Sequence, residues 1–342
     1  MHEISVIVSN FNGAKYLPRL LESLHAQEGV KLQIIIVDRN SQDDSAAILS
    51  AHPDVRVVQH PPETGLVCGY AEGYKHADHD LLFFSNEDMW FAPDCLRLCA
   101  EALLSKEQIG AVMPTQLRYD GQSLYCCGIW FKPCFWNRAV AYPFRKAVYH
   151  RIQTTTRVSY ANAGACLVRH AAYEQAGGWD TTFFLDDEDV DLGLRLWQMD
   201  WQCLSVPGAL LGHAVGASNT QTIPNVGTVV GKKRYMHGIS NFLAIGIKSF
   251  SPAAVILPFG CFVDRLLRDL FKLRFYLAWL DLKALMITLR RLPQLLESRR
   301  VRSIWNKRKP GEGYFQAPEF DYSKIANNRY EGEKQPDQTG QP

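Results

Sequence analysis

Between residues 4 and 114, short β-branched or aromatic runs alternate with stretches of helical periodicity. No other feature restricts the fold as much. "ISVIVS" (4–9), "LQIIIV" (32–37), "VRVVQ" (55–59), "DLLFFS" (80–85) and "IGAVMP" (109–114) read as strands. The second is apolar without alternation, as expected of a strand covered on both faces. "YLPRLLESLHAQ" reads as a helix with Leu17, Leu20, Leu21 and Leu24 on its buried side. Its proline is tolerated in the first turn, where no intrahelical N–H bond is lost. "SQDDSAAILS" reads as a second helix, with Ser41 as N-cap and Asp44 three residues on. "PDCLRLCAEALLS" reads as a third. Strand–helix alternation of this kind predicts an α/β fold: a mostly parallel sheet flanked by helices.

Open parallel sheets bind ligands beyond the carboxyl ends of their strands. Asp38, Asn86 and Asp88 fall at such ends. In "NED", Asn86 and Asp88 offer two oxygen ligands one residue apart, suited to a hard cation whose other positions go to phosphates. His213 could add an imidazole. Alternatively, "NED" is a turn or helix cap, and His213 is structural.

Residues 116–160 lose the rhythm and gain aromatics and turns, an irregular excursion before "ACLVRHAAYEQAGGW" restores a strand and a helix. "TTFFLDDEDVDLGLRLW" then places five carboxylates in six positions: Asp186, Asp187, Glu188, Asp189 and Asp191. A helix N-terminus favours early acidic residues, and Asp191 stands four residues before Arg195, the spacing of a helical ion pair. Those two effects account for Asp191 and part of Asp187, not for all five. A carboxylate among apolar groups and other carboxylates has its pKa raised, which suits a general base.

Taken in order, "ISVIVSNFNGAKYLPRLLESL", "IIIVDRNSQDDS", "TGLVCGYAEGYKHADHDLLFFSNEDMWFAPDCL", "ANAGACLVRHAAYEQAGGWDTTFFLDDEDVDLGLRL" and "GHAVGAS" resemble the inverting glycosyltransferases of family 2. Within that family the likeness is to bacterial rhamnosyltransferase-type enzymes of cell-surface polysaccharide and O-antigen synthesis. The resemblance implies a GT-A fold, a nucleotide-diphosphate sugar donor, a lipid-linked or glycan acceptor, and a divalent metal, Mg²⁺ or Mn²⁺. It assigns Ser9, Asn10, Asp38, Arg39 and Gly65 to the nucleotide-sugar side, and Asn86, Asp88 and His213 to the metal. Asp189 becomes the general base with Glu188 beside it, while Asp187, Asp191, Arg195 and Trp179 support the acceptor side. Arg39 and Glu87 depart from the family pattern, which more often has Asn or Asp after Asp38 and Pro between the metal-motif residues. A catalytically inactive scaffold and a sugar nucleotidyltransferase are the competing readings.

The implied organisation is a catalytic domain over 1–250, with a nucleotide half to about 115, a basic amphipathic helical region over 251–310, and an extended tail over 311–342. Residues 264–310 hold 13 Lys/Arg against 4 Asp/Glu, a net +9 within a chain of net +2, leaving −7 for the remainder. Three readings of this segment stay open: helices packed on the catalytic domain, a homodimer interface, or an interfacial helix on anionic lipid. Nucleic acid is disfavoured, because the aromatic residues lie among leucines instead of alternating with cations. Nine cysteines without a CxxC, and an N-terminus that runs directly into a strand, predict a cytoplasmic protein, and the lipid reading of the basic segment would make it peripheral on the cytoplasmic face of the inner membrane. A zinc site from Cys126, Cys127, Cys134 and His150 matches no known spacing.

Overall fold

The computed structural model describes residues 1–61, 65–130, 140–141, 155–214, 229–249 and 255–305. Cys134, His150, the end of "GHAVGAS" and the tail lie outside them. The strands are β1 (His2–Asn10), β2 (Val30–Asp38), β3 (Arg56–Gln59), β4 (Leu81–Asn86), β5 (Met89–Phe91), β6 (Ile109–Arg118), β7 (Leu124–Cys126), β8 (Ile129–Trp130), β9 (Val140–Ala141), β10 (Thr156–Val158), β11 (Ala165–Arg169) and β12 (Gln202–His213). Ten form one sheet with the order β10-β12-β6-β11-β4-β1-β2-β3, while β5 pairs with β12 and β7 with β6; β8 and β9 pair separately. Strands β3, β2, β1 and β4 are mutually parallel. β11 is antiparallel to both β4 and β6, so β6 again runs with β4, and β12 is parallel to β6. The carboxyl ends of β1, β2, β4, β6 and β12 therefore share one edge, carrying Asn10, Asp38, Asn86, Gln116 and His213.

The flanking helices are α1 (Leu17–His25), α2 (Ser45–Ser50), α3 (Leu66–Tyr74), α4 (Cys95–Leu104), α5 (His170–Ala176) and α6 (Glu188–Gln198), followed by α7 (Val229–Ser249), α8 (Ile256–Phe271) and α9 (Phe275–Trp305). α1 buries the four leucines its periodicity picks out, with proline in its first turn; each such leucine contributes roughly 2 kcal/mol of apolar burial. α2 starts later than the sequence suggests. Asp44, not Ser41, is its N-cap residue, because the Ser41 hydroxyl is drawn to Asp38. α3 is invisible to periodicity, since glycines interrupt "LVCGYAEGY". Gly69 is what lets it lie so close to β1: a Cβ there would collide with the Ser9 hydroxyl. Two apolar cores cover the faces of the sheet, one containing Ile7, Tyr70, Phe84 and Trp179, the other Val6, Leu20, Phe83 and Leu96. α7 packs on both α6 and α9, so part of the basic region is fastened to the sheet domain.

Candidate active site

At the ends of β1 and β2 the Asp38 carboxylate is fixed by three donors: Asn10 Nδ2 at 2.8 Å, Ser41 Oγ at 2.5 Å and Ser41 N at 3.2 Å. Asn12 and Asn40 turn the two loops through left-handed backbone, a conformation asparagine tolerates better than most residues. The Asn12 side chain accepts from Gln42 N at 2.7 Å, tying one loop to the other. Ser9 is buried beneath them, its hydroxyl oxygen without a hydrogen-bond partner. Arg39 stands over the Phe11 ring, 5.3 Å from its centre, and faces Glu87 electrostatically. Burial and the neighbouring Asp88 push the Glu87 carboxyl up to about 7, with Arg39 opposing.

A chain of contacts crosses the sheet edge from β4 to α6. The backbone N–H of Gly164 donates to Asn162 Oδ1 at 3.0 Å, which fixes the orientation of that amide. Asn162 Nδ2 then donates to Asp189 Oδ2 at 3.3 Å, and Gln116 Nε2 donates to Asn162 Oδ1 at 3.1 Å. Gln116 Oε1 is left as acceptor for His213 Nδ1, 3.1 Å away. In the neutral ring Nε2 therefore carries the lone pair, and it points at Asp88 Oδ1 at 3.3 Å. Two acceptors face each other, and Asp88 Oδ1 is buried without a hydrogen-bond donor. A cation between them, or a proton on the imidazole, turns this repulsion into attraction. The residues thus fit a divalent ion held by carboxylate and imidazole, its imidazole oriented by an outer amide as in many metal sites. Asn86 is adjacent, but its Oδ1 accepts the Tyr70 hydroxyl at 2.7 Å.

On the other side, Asp186 and Asp187 are consecutive left-handed residues (φ 66° each), a strained turn that costs on the order of 1–3 kcal/mol per residue. Contacts from α7 hold it. Arg234 forks onto Asp186 with bonds of 2.7 and 2.9 Å, and Asn241 Nδ2 donates to the carbonyls of Leu185 and Asp186. The turn aims Glu188 and Asp189 from the first turn of α6. Burial above all, then the surrounding carboxylates, raises Asp189 to about 7 even though the Ala163 and Val190 N–H groups oppose the rise. Glu188 is raised well above the usual range by burial and by the charges of Asp189 and Asp186.

Four expected site residues are instead part of the packing. Asp191 is fully buried and points away from the cluster, bonded to Arg195 Nε at 2.8 Å and Lys248 Nζ at 2.6 Å. Arg195 is occupied by that carboxylate and by the carbonyls of Ala176 and Gly178, so it anchors α6 and has no reach toward a phosphate. Trp179 lies in the core against Tyr70 and Phe84. Gly65 backs onto Phe184, where any Cβ would meet that residue's backbone, so it admits the acidic turn instead of presenting an open face to a nucleotide. Gln116, Asn162, Tyr70 and Arg234 went unnoticed in the sequence.

The sequence model of Glycosyl transferase family 2 matches residues 5–173. N-acetylglucosaminyl-diphospho-decaprenol L-rhamnosyltransferase of Mycobacterium tuberculosis is 26% identical over 239 residues, 61% of this chain and 75% of that protein. Among solved structures, the mannosyltransferase PcManGT from Pyrobaculum calidifontis, in complex with GDP-Man and Mn²⁺, superposes with a TM-score of 0.50 at 16% identity, covering 89% of this chain and 87% of that one. GalNAc-T7 with UDP, GalNAc and Mn²⁺ gives 0.51 at 15% identity, over 62% of this chain and 44% of that one. At such identities the structural likeness speaks for the fold alone. The matched segment spans the strands β1, β2 and β4 whose ends carry Asn10, Asp38 and Asn86, so residues 5–173 carry a glycosyltransferase family 2 domain, and the fold is that of the GT-A glycosyltransferases.

Proposed function

We propose that the protein is an inverting enzyme that moves a hexosyl or deoxyhexosyl unit, rhamnose being one candidate, from a nucleotide-diphosphate donor to a hydroxyl of a lipid-linked or polysaccharide acceptor. The observation that carries this reading is the single file of contacts from Asp88 through His213, Gln116 and Asn162 to Asp189. It couples a buried carboxylate–imidazole pair, suited to a metal on a diphosphate, to a carboxylate poised to take a proton at neutral pH. The rhamnosyltransferase relative, whose name specifies a diphospho-decaprenol acceptor, supports a lipid-linked substrate. The Mn²⁺ complexes of the two similar folds support a divalent ion, Mg²⁺ or Mn²⁺.

In this reading Ser9, Asn10, Asp38 and Arg39 form the nucleotide end. Asp88 and His213, with Asn86 adjacent, would hold the cation, whose charge would offset that of the departing diphosphate. Asp189 accepts the proton of the acceptor hydroxyl while that oxygen bonds to the anomeric carbon from the face opposite the diphosphate. The bond from the anomeric carbon to the diphosphate oxygen breaks, so the configuration inverts. The raised pKa gives Asp189 enough basicity near pH 7 to take up a proton in the transition state. Glu188 stands beside the base, its burial and the charges of Asp189 and Asp186 favouring the protonated form.

The test is incubation with a panel of nucleotide-diphosphate sugars and a prenyl-diphosphate-linked sugar acceptor, with the anomeric configuration of the product read by NMR. One donor should give an inverted glycoside. A product retaining the donor's configuration contradicts the mechanism, binding of donors without transfer favours a scaffold, and formation of a nucleotide sugar from sugar phosphate favours a nucleotidyltransferase.

A further inference from the structure

We infer that the α8–α9 hairpin is a docking surface for the headgroup layer of an anionic lipid bilayer. The inference stands on these helices and does not depend on the donor or acceptor. α8 reverses into α9 at Lys272–Arg274, with Leu273 in left-handed backbone and Arg274 N donating to Asp269 O at 2.7 Å. The tip presents Phe271, Leu273 and Phe275, which are 90%, 73% and 63% exposed, and Lys272 and Arg274 alternate with them.

Along α9 the outward residues Phe275, Trp279, Leu282, Met286, Leu289 and Leu296 recur at intervals of three, four or seven, so they form one apolar stripe. α8 adds exposed Val263, Leu267 and Leu270 at helical spacing. The opposite face of α9 is the packing face: Ala278, Leu280, Asp281, Ala284 and Thr288 are buried. An exposed apolar surface this extensive marks an interaction site on a soluble protein.

Charge decides what covers it. Exposed Arg268, Lys272, Arg274, Lys283 and Arg290 accompany the stripe. Lys283 Nζ sits 3.5 Å from the centre of the Trp279 ring, which stacks with Tyr276. Aromatic residues and long cationic side chains beside an apolar face suit the boundary between acyl chains and headgroups. A two-fold interface through this face would set its five exposed cations against the same five of a second copy, whereas anionic lipid supplies the missing negative charge. Among the described residues no helix is long and apolar enough to cross a membrane, so the hairpin would lie on the bilayer without spanning it. α7 connects this hairpin to the acidic turn, with Arg234 and Asn241 on Asp186 and Ser240 on Thr288 of α9.

The full chain should float with vesicles of phosphatidylglycerol and phosphatidylcholine but at least about ten-fold more weakly with phosphatidylcholine alone. Binding should fall about ten-fold between 0.1 and 0.5 M NaCl as screening shortens the reach of charge. The triple substitution Phe271→Ser, Leu273→Ser and Phe275→Ser should lower binding about ten-fold or more with an unchanged melting temperature. If that variant misfolds, the exposed pair Lys272→Glu and Arg274→Glu must reduce binding instead. Equal flotation of wild type and folded variants, no flotation with the anionic vesicles, or a lipid-free dimer that the tip substitutions dissociate would each overturn the inference.

Discussion

Replacing Asp189 by Asn should stabilise the protein while disabling it. The carboxyl ordinarily titrates near 3.8, and in the folded chain burial and its acidic neighbours raise it to about 7. Between these values the folded state binds the extra proton, so stability falls as pH rises from about 4 to about 7 and is flat above. That gap corresponds to a penalty of about 4 kcal/mol for folding with the carboxylate ionised. Two effects reduce what the amide recovers. The side chain keeps some contact with solvent, and the 2.8 Å bond from Val190 N to Oδ1 is lost if the amide nitrogen takes that place. The net gain expected at pH 8 is about 1–2 kcal/mol. Asn162 Nδ2 and Ala163 N still find an acceptor in the remaining oxygen. Donor affinity should therefore be unchanged, and transfer should fall by about 10²–10⁴-fold. Urea unfolding followed by circular dichroism at pH 5 and pH 8 measures the effect, and it should be larger at pH 8. A variant less stable than wild type at pH 8, or equally stabilised at both pH values, refutes the electrostatic argument.

Three further outcomes follow from the same geometry. Asp191→Asn removes the shared partner of buried Arg195 and Lys248 and should cost about 3–5 kcal/mol in chemical denaturation; a loss under about 1 kcal/mol would show the ion cluster to be expendable. Gln116→Leu releases the acceptor that orients His213 and should weaken Mn²⁺ binding about 10–100-fold by spin resonance. Gln116→Glu, still an acceptor for Nδ1, should retain affinity, and equal losses in both variants would argue against orientation as its role. Because Asp189 must be ionised, kcat/KM should rise with pH up to about 7 and then level, and a profile flat from pH 5 to 8 would exclude it as the base.

The ends of β1, β2 and β4 were largely legible in the sequence because each of these strands is a compact apolar run whose last residue is polar. Asp38, Asn86 and Asp88 could be read from that pattern alone. Asn162 and Gln116 could not, since a neutral amide creates no charge anomaly and its importance comes from register across β6 and β11. The antiparallel insertion of β11 between β4 and β6 is likewise set by tertiary pairing. The acidic run was conspicuous, but its members divide: Asp189 meets the Asn162 amide, whereas Asp191 enters a buried ion cluster completed by Lys248, 57 residues later. Arg234 had no local signal, because its partner Asp186 is 48 positions away.

The central claim is that a metal at Asp88 and His213 holds the donor independently of the base. Calorimetric titration of nucleotide-diphosphate sugars, with Mn²⁺ or with chelator, tests it most directly. The account predicts binding of at least one donor that requires Mn²⁺ or Mg²⁺, is lost in Asp88→Ala, and persists in Asp189→Asn. Equal affinity in the presence of chelator, or binding untouched by Asp88→Ala, would contradict it.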